Sequence, residues 1–188
     1  MRCKINKLFI VSGPSGAGKG TLVRELLTRV PNLYISISVT TRVPRNGEVP
    51  GISYDFISEK DFKRRLQNGE FLEWAKVHNY FYGTPKEPVL GALSKGLNVI
   101  LEIDVQGAKQ VKEKMPEAVL IFIVPPSIKI LTKRLQNRKT ETKEEIENRV
   151  KVAQYELEHL EKYDYIVTND ILEKAVNELV DIIKKETT

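Results

Sequence analysis

The chain has 188 residues, and 41% of them are hydrophobic, which is enough for one ordinary domain with a real core. Its formal net charge of +5 is the small difference between 30 basic and 25 acidic side chains. This mild basic excess suits a small phosphorylated ligand. Because the sequence contains no long basic tract and no arginine-rich arm, we expect no nucleic-acid partner.

The cysteine and histidine content excludes two further kinds of site. The single cysteine, Cys3, cannot form an intramolecular disulfide, and with only two histidines, His78 and His159, a zinc site would have too few soft ligands. The longest purely apolar run, residues 118–124, is far shorter than a membrane span. We therefore expect a cytoplasmic protein without membrane contact.

The first predicted elements are a strand, a loop and a helix. Residues 7–11 form a compact apolar run, which breaks into a loop rich in glycine and serine. From Lys19 onward the apolar residues recur at helical spacing, and they are Leu22, Val23, Leu26, Leu27 and Val30.

The next stretch, residues 35–88, departs from that rhythm. Residues 35–40 alternate strictly between apolar and polar side chains, which predicts a half-exposed strand, and residues 44–51 are rich in turn formers. Ser58 and Asp61 have the spacing of a capping box before a helix, and a short strand is expected at 71–77. We interpret this stretch as a small α+β insertion.

The rest of the chain returns to alternating strands and helices. Residues 99–103 and 118–124 are apolar at successive positions, as in strands covered on both faces of a parallel sheet, and a crossover helix is expected at 108–114. Two helical patterns flank a charged junction within 127–159, which we interpret as a helical lid. A strand at 165–168 precedes a helix whose apolar face comprises Ala175, Val176, Leu179, Val180 and Ile183.

These elements predict an α/β fold in a single domain over residues 1–188. A parallel, doubly wound core would be formed by residues 1–34, 89–126 and 160–188. The insertion, residues 35–88, and the lid, residues 127–159, would be attached to it.

A phosphate-binding loop is predicted between the first strand and the first helix. Residues 13–19, GPSGAGK, have the G-x-x-x-x-G-K spacing of a P-loop, in which backbone N–H groups surround phosphate oxygens and Lys19 adds a charge at the β- and γ-phosphates. The alternative is a tight turn with a surface lysine. The candidate ATP-binding residues of this segment are Gly13, Pro14, Ser15, Gly16, Ala17, Gly18, Lys19, Gly20 and Thr21.

The motif has one departure that concerns the metal. The position after Lys19, usually Ser or Thr, is Gly20, which cannot ligate magnesium, and the hydroxyl follows at Thr21. Either Thr21 approaches the ion or its waters, or nucleotide oxygens and water hold Mg²⁺.

The segment after the P-loop makes the sequence more specific. Residues 38–56, SVTTRVPRNGEVPGISYDF, resemble the signature segment of the guanylate kinase family, and the resemblance continues in order through 71–75, 82–84, 102–107, 134–149 and 169–170. It covers about residues 7–184. It implies a P-loop kinase that transfers the γ-phosphoryl group of ATP to GMP, with dGMP as a second acceptor, in purine nucleotide metabolism. Members of the family use Mg²⁺ and occur as monomers or small homo-oligomers.

Arg42 and Arg45 are the candidate acceptor-phosphate ligands. They lie three residues apart among turn formers, where two planar guanidinium groups can reach one phosphate dianion. The hydroxyl groups of Tyr54 and Tyr82 could donate to the same phosphate, and the resemblance assigns all four residues to GMP. The alternative is a solvated basic loop with two packing tyrosines.

Glu73 is the candidate base-recognition residue. Guanine presents N1–H beside an exocyclic amino group, so that one carboxylate can accept from both, whereas adenine has no such pair. The resemblance adds Ser38, Gly83 and Thr84 to the GMP site. Alternatively, Glu73 points outward from an edge strand.

Glu102 and Asp104 follow a hydrophobic parallel strand, where ligands of open α/β sheets bind. Their carboxylates are expected to orient Mg²⁺ through water or to contact the acceptor nucleoside, and the sequence does not divide these roles between them.

In the lid, Arg134, Arg138 and Arg149 match the arginines that the family closes over the transferring phosphoryl group, so that the catalytic set would be these three with Lys19 and Arg42. The chain has Arg138-Lys139 where the family usually has Arg-Gly. Asn169 resembles the position that contacts adenine, although Asn169 or Asp170 could instead be a helix N-cap.

Two rival functions remain at this stage. One is a monophosphate kinase for another base, against which Glu73 and Ser38 argue. The other is an inactive kinase-like scaffold that binds proteins, and the presence of Lys19, Arg42 and Arg45 argues against it.

Overall fold

The core strands are formed by runs that are buried along almost their whole length. The computed structural model describes residues 6–45, 47–77, 79–137, 142–158 and 160–188. All five residues of β1 (Leu8–Ser12) are buried, and β8 (Val119–Val124) is buried except at its last residue. This continuous burial is typical of a central parallel sheet. The predictions for Cys3, His78, Arg138 and His159 concern residues outside the described ranges.

The main sheet contains five parallel strands, in the order β2-β7-β1-β8-β9. The other three strands are β2 (Leu33–Ile35), β7 (Asn98–Glu102) and β9 (Tyr165–Thr168). One face packs against α1 (Lys19–Arg29) and α7 (Leu172–Thr187), and the other packs against α3 (Lys86–Ser94) and α4 (Val105–Lys114). The predicted doubly wound α/β fold is therefore confirmed.

Side-chain alternation along β1 supplies both halves of the core. Phe9 and Val11 are buried among residues of α1 and α7, whereas Leu8 and Ile10 are buried among residues of α3 and α4. Because successive side chains of a strand point to opposite faces, five buried residues in a row can serve two helical layers.

The insertion contains a second sheet with its own small core. Its strands lie in the order β4-β3-β6-β5, and they are β3 (Val39–Thr40), β4 (Asp55–Phe56), β5 (Phe71–Val77) and β6 (Tyr80–Pro85). Helix α2 (Glu59–Gln67) begins after the N-cap Ser58, whose hydroxyl accepts the N–H of Asp61 at 3.1 Å. The ring of Phe62 stacks on Phe71 at 4.6 Å and on Phe81 at 5.3 Å between ring centroids.

The prediction of one half-exposed strand at 35–40 is wrong. Strand β2 ends at Ile35 in the main sheet, and β3 begins at Val39 in the second sheet. The polar residues between and within them are buried, with Ser36 at 5% and Ser38 at 9% exposure. The alternation therefore marks a crossing from one sheet to the other.

In its described residues, the segment predicted to be a lid, 127–159, contains the helices α5 (Ile128–Asn137) and α6 (Lys143–Leu157). They enclose Leu131, Leu135 and Ala153 in a small core of their own. Helix α6 starts with a reciprocal capping box, because the N–H of Thr142 donates to the Glu145 carboxylate at 2.7 Å and the N–H of Glu145 donates to the Thr142 hydroxyl at 3.3 Å. Among the described residues, no helix has the length and apolar character needed to cross a membrane.

We expect the substitution Phe62→Ala to destabilise the chain by about 3–5 kcal/mol, because it removes a ring that is fully buried between two other rings. Urea unfolding would measure the change. The control is Ile52→Ala, since Ile52 is 70% exposed, and this variant should stay within about 0.5 kcal/mol of the original. Equal stability of the two variants would contradict the packing role of Phe62.

Candidate active site

The loop between β1 and α1 has the backbone conformation of an anion-binding nest. Gly13, Gly16 and Gly18 have φ angles of +139°, +90° and +94°. A Cβ atom on Gly13 would clash with the backbone carbonyl of Ile123, and one on Gly18 would clash with the side-chain amide of Asn169. These glycines therefore meet both a conformational and a steric requirement.

The Lys19 ammonium lies on this loop. Its Nζ donates to the carbonyl oxygen of Gly13 at 2.5 Å and to that of Pro14 at 3.3 Å. The side chain of Lys19, at the start of α1, therefore folds back onto the loop.

Two side chains from later in the chain donate hydrogen bonds to the backbone of the P-loop. The amide nitrogen of Asn169 donates to the carbonyl of Ala17 at 2.7 Å, and Arg134 donates to the same carbonyl at 3.2 Å and to the carbonyl of Asn169 at 3.0 Å. The proposed N-cap role of Asn169 or Asp170 is wrong, since α7 is capped at Ile171 without a side-chain hydrogen bond. Asn169 instead connects the last strand to the loop.

Glu73 is buried between the insertion and the core. It is 3% exposed, so it does not point outward from the edge strand β5. Its Oε1 accepts the hydroxyl of Thr84 at 2.5 Å, across the β5–β6 pairing. Its Oε2 lies so close to α4 that a Cβ atom on Gly107 would clash with it. A small residue at Gly107 is therefore required for this approach.

The Glu73 carboxyl has an unusual protonation equilibrium. Burial raises its pKa to about 7, and the charge of Asp104 adds to this, while the hydrogen bond from Thr84 and the charge of Lys114 act in the opposite direction. Near neutral pH the group therefore exists in both protonation states. A ligand that donates hydrogen bonds would favour the ionised state.

Ser38, Gly83 and Thr84 are the other residues near Glu73 that were predicted to bind GMP. Ser38, directly before β3, and Thr84, which lies in β6 opposite Glu73, are buried, at 9% and 0% exposure. Gly83 backs onto the ring of Phe71, because a Cβ atom there would lie 2.9 Å from a ring carbon. Gly83 thus has a packing reason to be glycine.

Arg42 is enclosed at the other end of the second sheet. It is 6% exposed, its Nε donates to the hydroxyl oxygen of Tyr82 at 3.2 Å, and its guanidinium lies 5.6 Å from the ring centre of Tyr54. Both Nη atoms donate to the carboxylate of Glu48, which also accepts the backbone N–H of Arg45 at 2.7 Å. The structure therefore brings the four predicted phosphate ligands together and adds an acidic residue to them.

The two acidic residues after β7 differ in their surroundings. Both oxygens of Asp104 are engaged at the start of α4, by the N–H of Gly107 at 2.9 Å and by the amide of Gln106 at 3.2 Å. Glu102 instead lies against the start of α1, where a Cβ atom on Gly20 would be 3.4 Å from its Oε2. Burial, and after it the charge of Glu102, raises the pKa of the Tyr54 hydroxyl in the insertion.

Helix α6 of the lid faces the P-loop with charges of both signs. Arg149 donates to the hydroxyl of Ser15 at 3.0 Å. Glu156, two turns later on α6, has a buried Oε2 with no hydrogen-bond partner in the described structure, and burial raises its pKa to about 7 against the opposing charge of Lys19. Arg138 lies outside the described residues.

Sequence reasoning missed Glu48 and Glu156. The signal for Glu48 was its position three residues after Arg45, since a carboxylate between turn residues can bind the arginines that precede it. The signal for Glu156 was the seven-residue spacing from Arg149, which places both on one face of a helix.

We expect Glu73→Gln to stabilise the fold at pH 8 and to lose this advantage at pH 5. A carboxyl whose pKa is higher in the folded chain destabilises the fold above that pKa, and it has no such effect below its unfolded pKa. Each kcal/mol gained corresponds to roughly 2–4 °C in Tm for a chain of this size. Thermal unfolding at both pH values would measure the difference, and an advantage that grew toward pH 5 would contradict the assigned pKa direction.

Comparisons with known proteins agree with this geometry. A family model described as guanylate kinase matches residues 5–186. The chain is 51% identical over 179 residues to a guanylate kinase from Carboxydothermus hydrogenoformans, covering 95% of this chain and 88% of that protein. It is 52% identical over 179 residues to a guanylate kinase from Caldanaerobacter subterraneus, covering 95% of this chain and 87% of that protein.

The similarity extends to three dimensions. The crystal structure of guanylate kinase from Anaplasma phagocytophilum superposes with a TM-score of 0.84 at 34% sequence identity, and the match covers 98% of this chain and 88% of that one. Both the sequence and the fold lead to the same assignment: the chain belongs to the guanylate kinase family, whose members are ATP:GMP phosphotransferases.

Proposed function

We propose that this chain transfers the γ-phosphoryl group of ATP to GMP, giving ADP and GDP, and that dGMP is a second acceptor. The observation that carries the proposal is the buried Glu73 carboxylate, held by Thr84 beside the start of α4. Its oxygens can accept N1–H and the exocyclic amino group of guanine. A base without these donors would leave the buried carboxylate without hydrogen bonds from the ligand. Such a base would therefore bind more weakly than guanine.

The donor nucleotide would be held by the P-loop. Its backbone N–H groups, including those at the N-terminus of α1, would donate hydrogen bonds to the phosphate oxygens, and the Lys19 ammonium would move from the carbonyls of Gly13 and Pro14 to phosphate oxygens. We assign Asn169 to the support of the loop through Ala17, and its contact with adenine stays a prediction.

The acceptor phosphate would lie between Arg42, Arg45, Tyr54 and Tyr82. Charged donors on one side of the phosphate would place its attacking oxygen toward the P-loop. Both substrates would then lie in one cleft, so that the phosphate of GMP attacks the γ-phosphorus in line and no covalent enzyme intermediate is needed.

Magnesium is the cofactor we propose, and Glu102 is the carboxylate that would help to hold it. The described residues contain no cluster of three or more His, Cys, Asp or Glu side chains that could enclose a metal ion. This fits Mg²⁺, which is commonly held by nucleotide oxygens, water and one or two carboxylates, and which would neutralise charge on the transferring phosphate. We favour Glu102 for this role because it lies against the start of α1, beside Gly20, and the Thr21 hydroxyl is a second group near the same helix end.

The lid would complete the site. Arg149 already contacts Ser15 of the P-loop, and Arg134 contacts the loop carbonyl of Ala17. Positive charge from these side chains, and from Arg138, would stabilise the equatorial oxygens of the transferring group, and the lid would exclude water that could otherwise accept it. A cytoplasmic location and a monomer or small homo-oligomer are proposed from family resemblance.

The first prediction of this function concerns the choice of acceptor. ADP formation from ATP·Mg should be rapid with GMP, slower with dGMP, and low with AMP, CMP or UMP. A coupled assay at equal enzyme concentration would measure it. The variant Lys19→Met should be inactive with every acceptor while remaining folded.

Each other outcome of this assay has a definite meaning. Turnover of another base in preference to GMP would contradict the role of Glu73. Inactivity of the unmodified chain with all acceptors would favour the protein-binding scaffold.

A second prediction concerns pH. Because only the ionised Glu73 carboxylate accepts both guanine donors, guanosine should bind with full affinity above pH 7, and the affinity should fall by about tenfold per unit well below it. Guanosine carries no phosphate, so the ionisation of GMP itself does not enter. Calorimetry between pH 5.5 and 8.5 would measure the profile.

The controls separate Glu73 from Glu156, whose pKa lies in the same range. Glu156→Gln should keep the profile, whereas Glu73→Gln should bind weakly with little dependence on pH. Affinity that rises as the pH falls would refute the assignment.

A further inference from the structure

The guanidinium group of Arg42 is held on nearly every side. Its Nε donates to the Tyr82 hydroxyl at 3.2 Å, and Nη1 donates to the carbonyl of Val43 at 2.7 Å. Nη1 also donates to one carboxylate oxygen of Glu48 at 2.9 Å, and Nη2 donates to the other at 2.8 Å. The aromatic rings of Tyr54 and Phe56 lie 5.6 and 5.9 Å from the guanidinium carbon.

A count of donors shows what Arg42 can still offer. An arginine has five N–H bonds, and the contacts above use four of them. The fifth N–H, which makes none of these contacts with the described residues, is the second N–H of Nη2. Since the Tyr82 hydroxyl oxygen accepts from Nε, its own O–H is not used in that hydrogen bond. One N–H and one O–H therefore lie next to each other, on the edge of the guanidinium away from Glu48.

Glu48 is tied to this arrangement by three hydrogen bonds. Besides the two from Arg42, its carboxylate accepts the backbone N–H of Arg45 at 2.7 Å. The side chain of Glu48 is 20% exposed and that of Arg42 is 7% exposed. Burial alone would raise the pKa of Glu48, but the hydrogen bonds from Arg42 and Arg45 lower it overall, so that the carboxylate is ionised at neutral pH. A partly buried, bidentate pair of this kind is stronger than an exposed ion pair.

We propose that Glu48 is a positioning residue of the acceptor-phosphate site, and that it stays in place when the phosphate binds. It fixes one edge of Arg42 and the backbone of Arg45, so that the opposite edge presents an Arg42 N–H and the Tyr82 O–H to the phosphate of a nucleoside monophosphate. The inference rests on the proposed function and adds a residue to it.

The opposite view is that Glu48 occupies the place of the phosphate and leaves when GMP binds. The two views predict changes of opposite sign. If Glu48 competed with the phosphate, its removal would free both Nη atoms and strengthen GMP binding. If it positions Arg42, its removal would release the guanidinium from its orientation and weaken GMP binding.

The experiment compares GMP and guanosine on the variant Glu48→Gln, which keeps the size of the side chain but replaces one acceptor oxygen by a donor. We expect the Kd for GMP to rise by about tenfold, the Kd for guanosine to stay the same, and the Kd for ATP·Mg to stay the same. Calorimetry at pH 8, where Glu73 is ionised, would measure all three.

The matched control is Glu59→Gln. Glu59 also belongs to the insertion and pairs with a basic residue, Lys63, at 2.6 Å, but its side chain is 57% exposed. This variant should bind GMP like the unmodified chain. Glu48→Asp, which is too short to reach both Nη atoms, should behave like Glu48→Gln and provides a second variant if the first unfolds.

Three outcomes would overturn the proposal. Unchanged or tighter GMP binding by Glu48→Gln would support competition or no role. An equal loss of guanosine binding would indicate general damage to the insertion. Failure of the unmodified chain to bind either ligand would overturn the proposed function itself, and the inference with it.

Discussion

The arrangement of the site depends on the buried carboxylate of Glu73 and on the contacts that its burial requires. A buried carboxylate needs hydrogen-bond donors, and β6 supplies the first of them from Thr84. It also needs room, which α4 provides because Gly107 lacks a side chain. The insertion and the core are therefore joined at a point where any larger or apolar replacement would alter both. The carboxylate that would recognise a base is also part of the contact between two layers of the fold.

The P-loop shows the same dependence on distant parts of the chain. The carbonyl of Ala17 accepts hydrogen bonds from Asn169, after the last strand, and from Arg134, in the lid. A glycine-rich loop has many accessible conformations, and these two contacts restrict them. Since Arg134 is one of the side chains predicted for catalysis, the lid is linked to the loop before any substrate is considered. Changes in the lid should therefore be transmitted to phosphate binding.

Local sequence signals predicted the elements whose determinants are local. The strand at 71–77, the N-cap at Ser58 and the apolar face of the last helix have the predicted positions, because periodicity and capping involve neighbouring residues. The strand predicted at 35–40 failed, since alternation does not reveal that the chain changes sheets. Likewise, the sequence identified Arg42 but not the carboxylate that holds it, and for Asn169 it offered an adenine contact or an N-cap but not the hydrogen bond to the P-loop that the structure has. Pairings of side chains across the fold are set by tertiary packing, which a single sequence does not display.

Lys19 and Arg42 differ in the chemistry of the groups to which they donate hydrogen bonds. Lys19 donates to backbone carbonyls, which are neutral, so a phosphate can replace them with a gain in electrostatic energy. Arg42 donates to the ionised carboxylate of Glu48 in bidentate geometry, and replacing that carboxylate by a phosphate would exchange one anion for another while leaving the partly buried Glu48 without its partner. The first kind of contact is suited to exchange when a substrate binds, and the second is suited to remain. This difference would allow one cleft to contain a lysine that moves with the transferring phosphate, as we propose for Lys19, and an arginine whose orientation is fixed before the substrate binds, as we propose for Arg42.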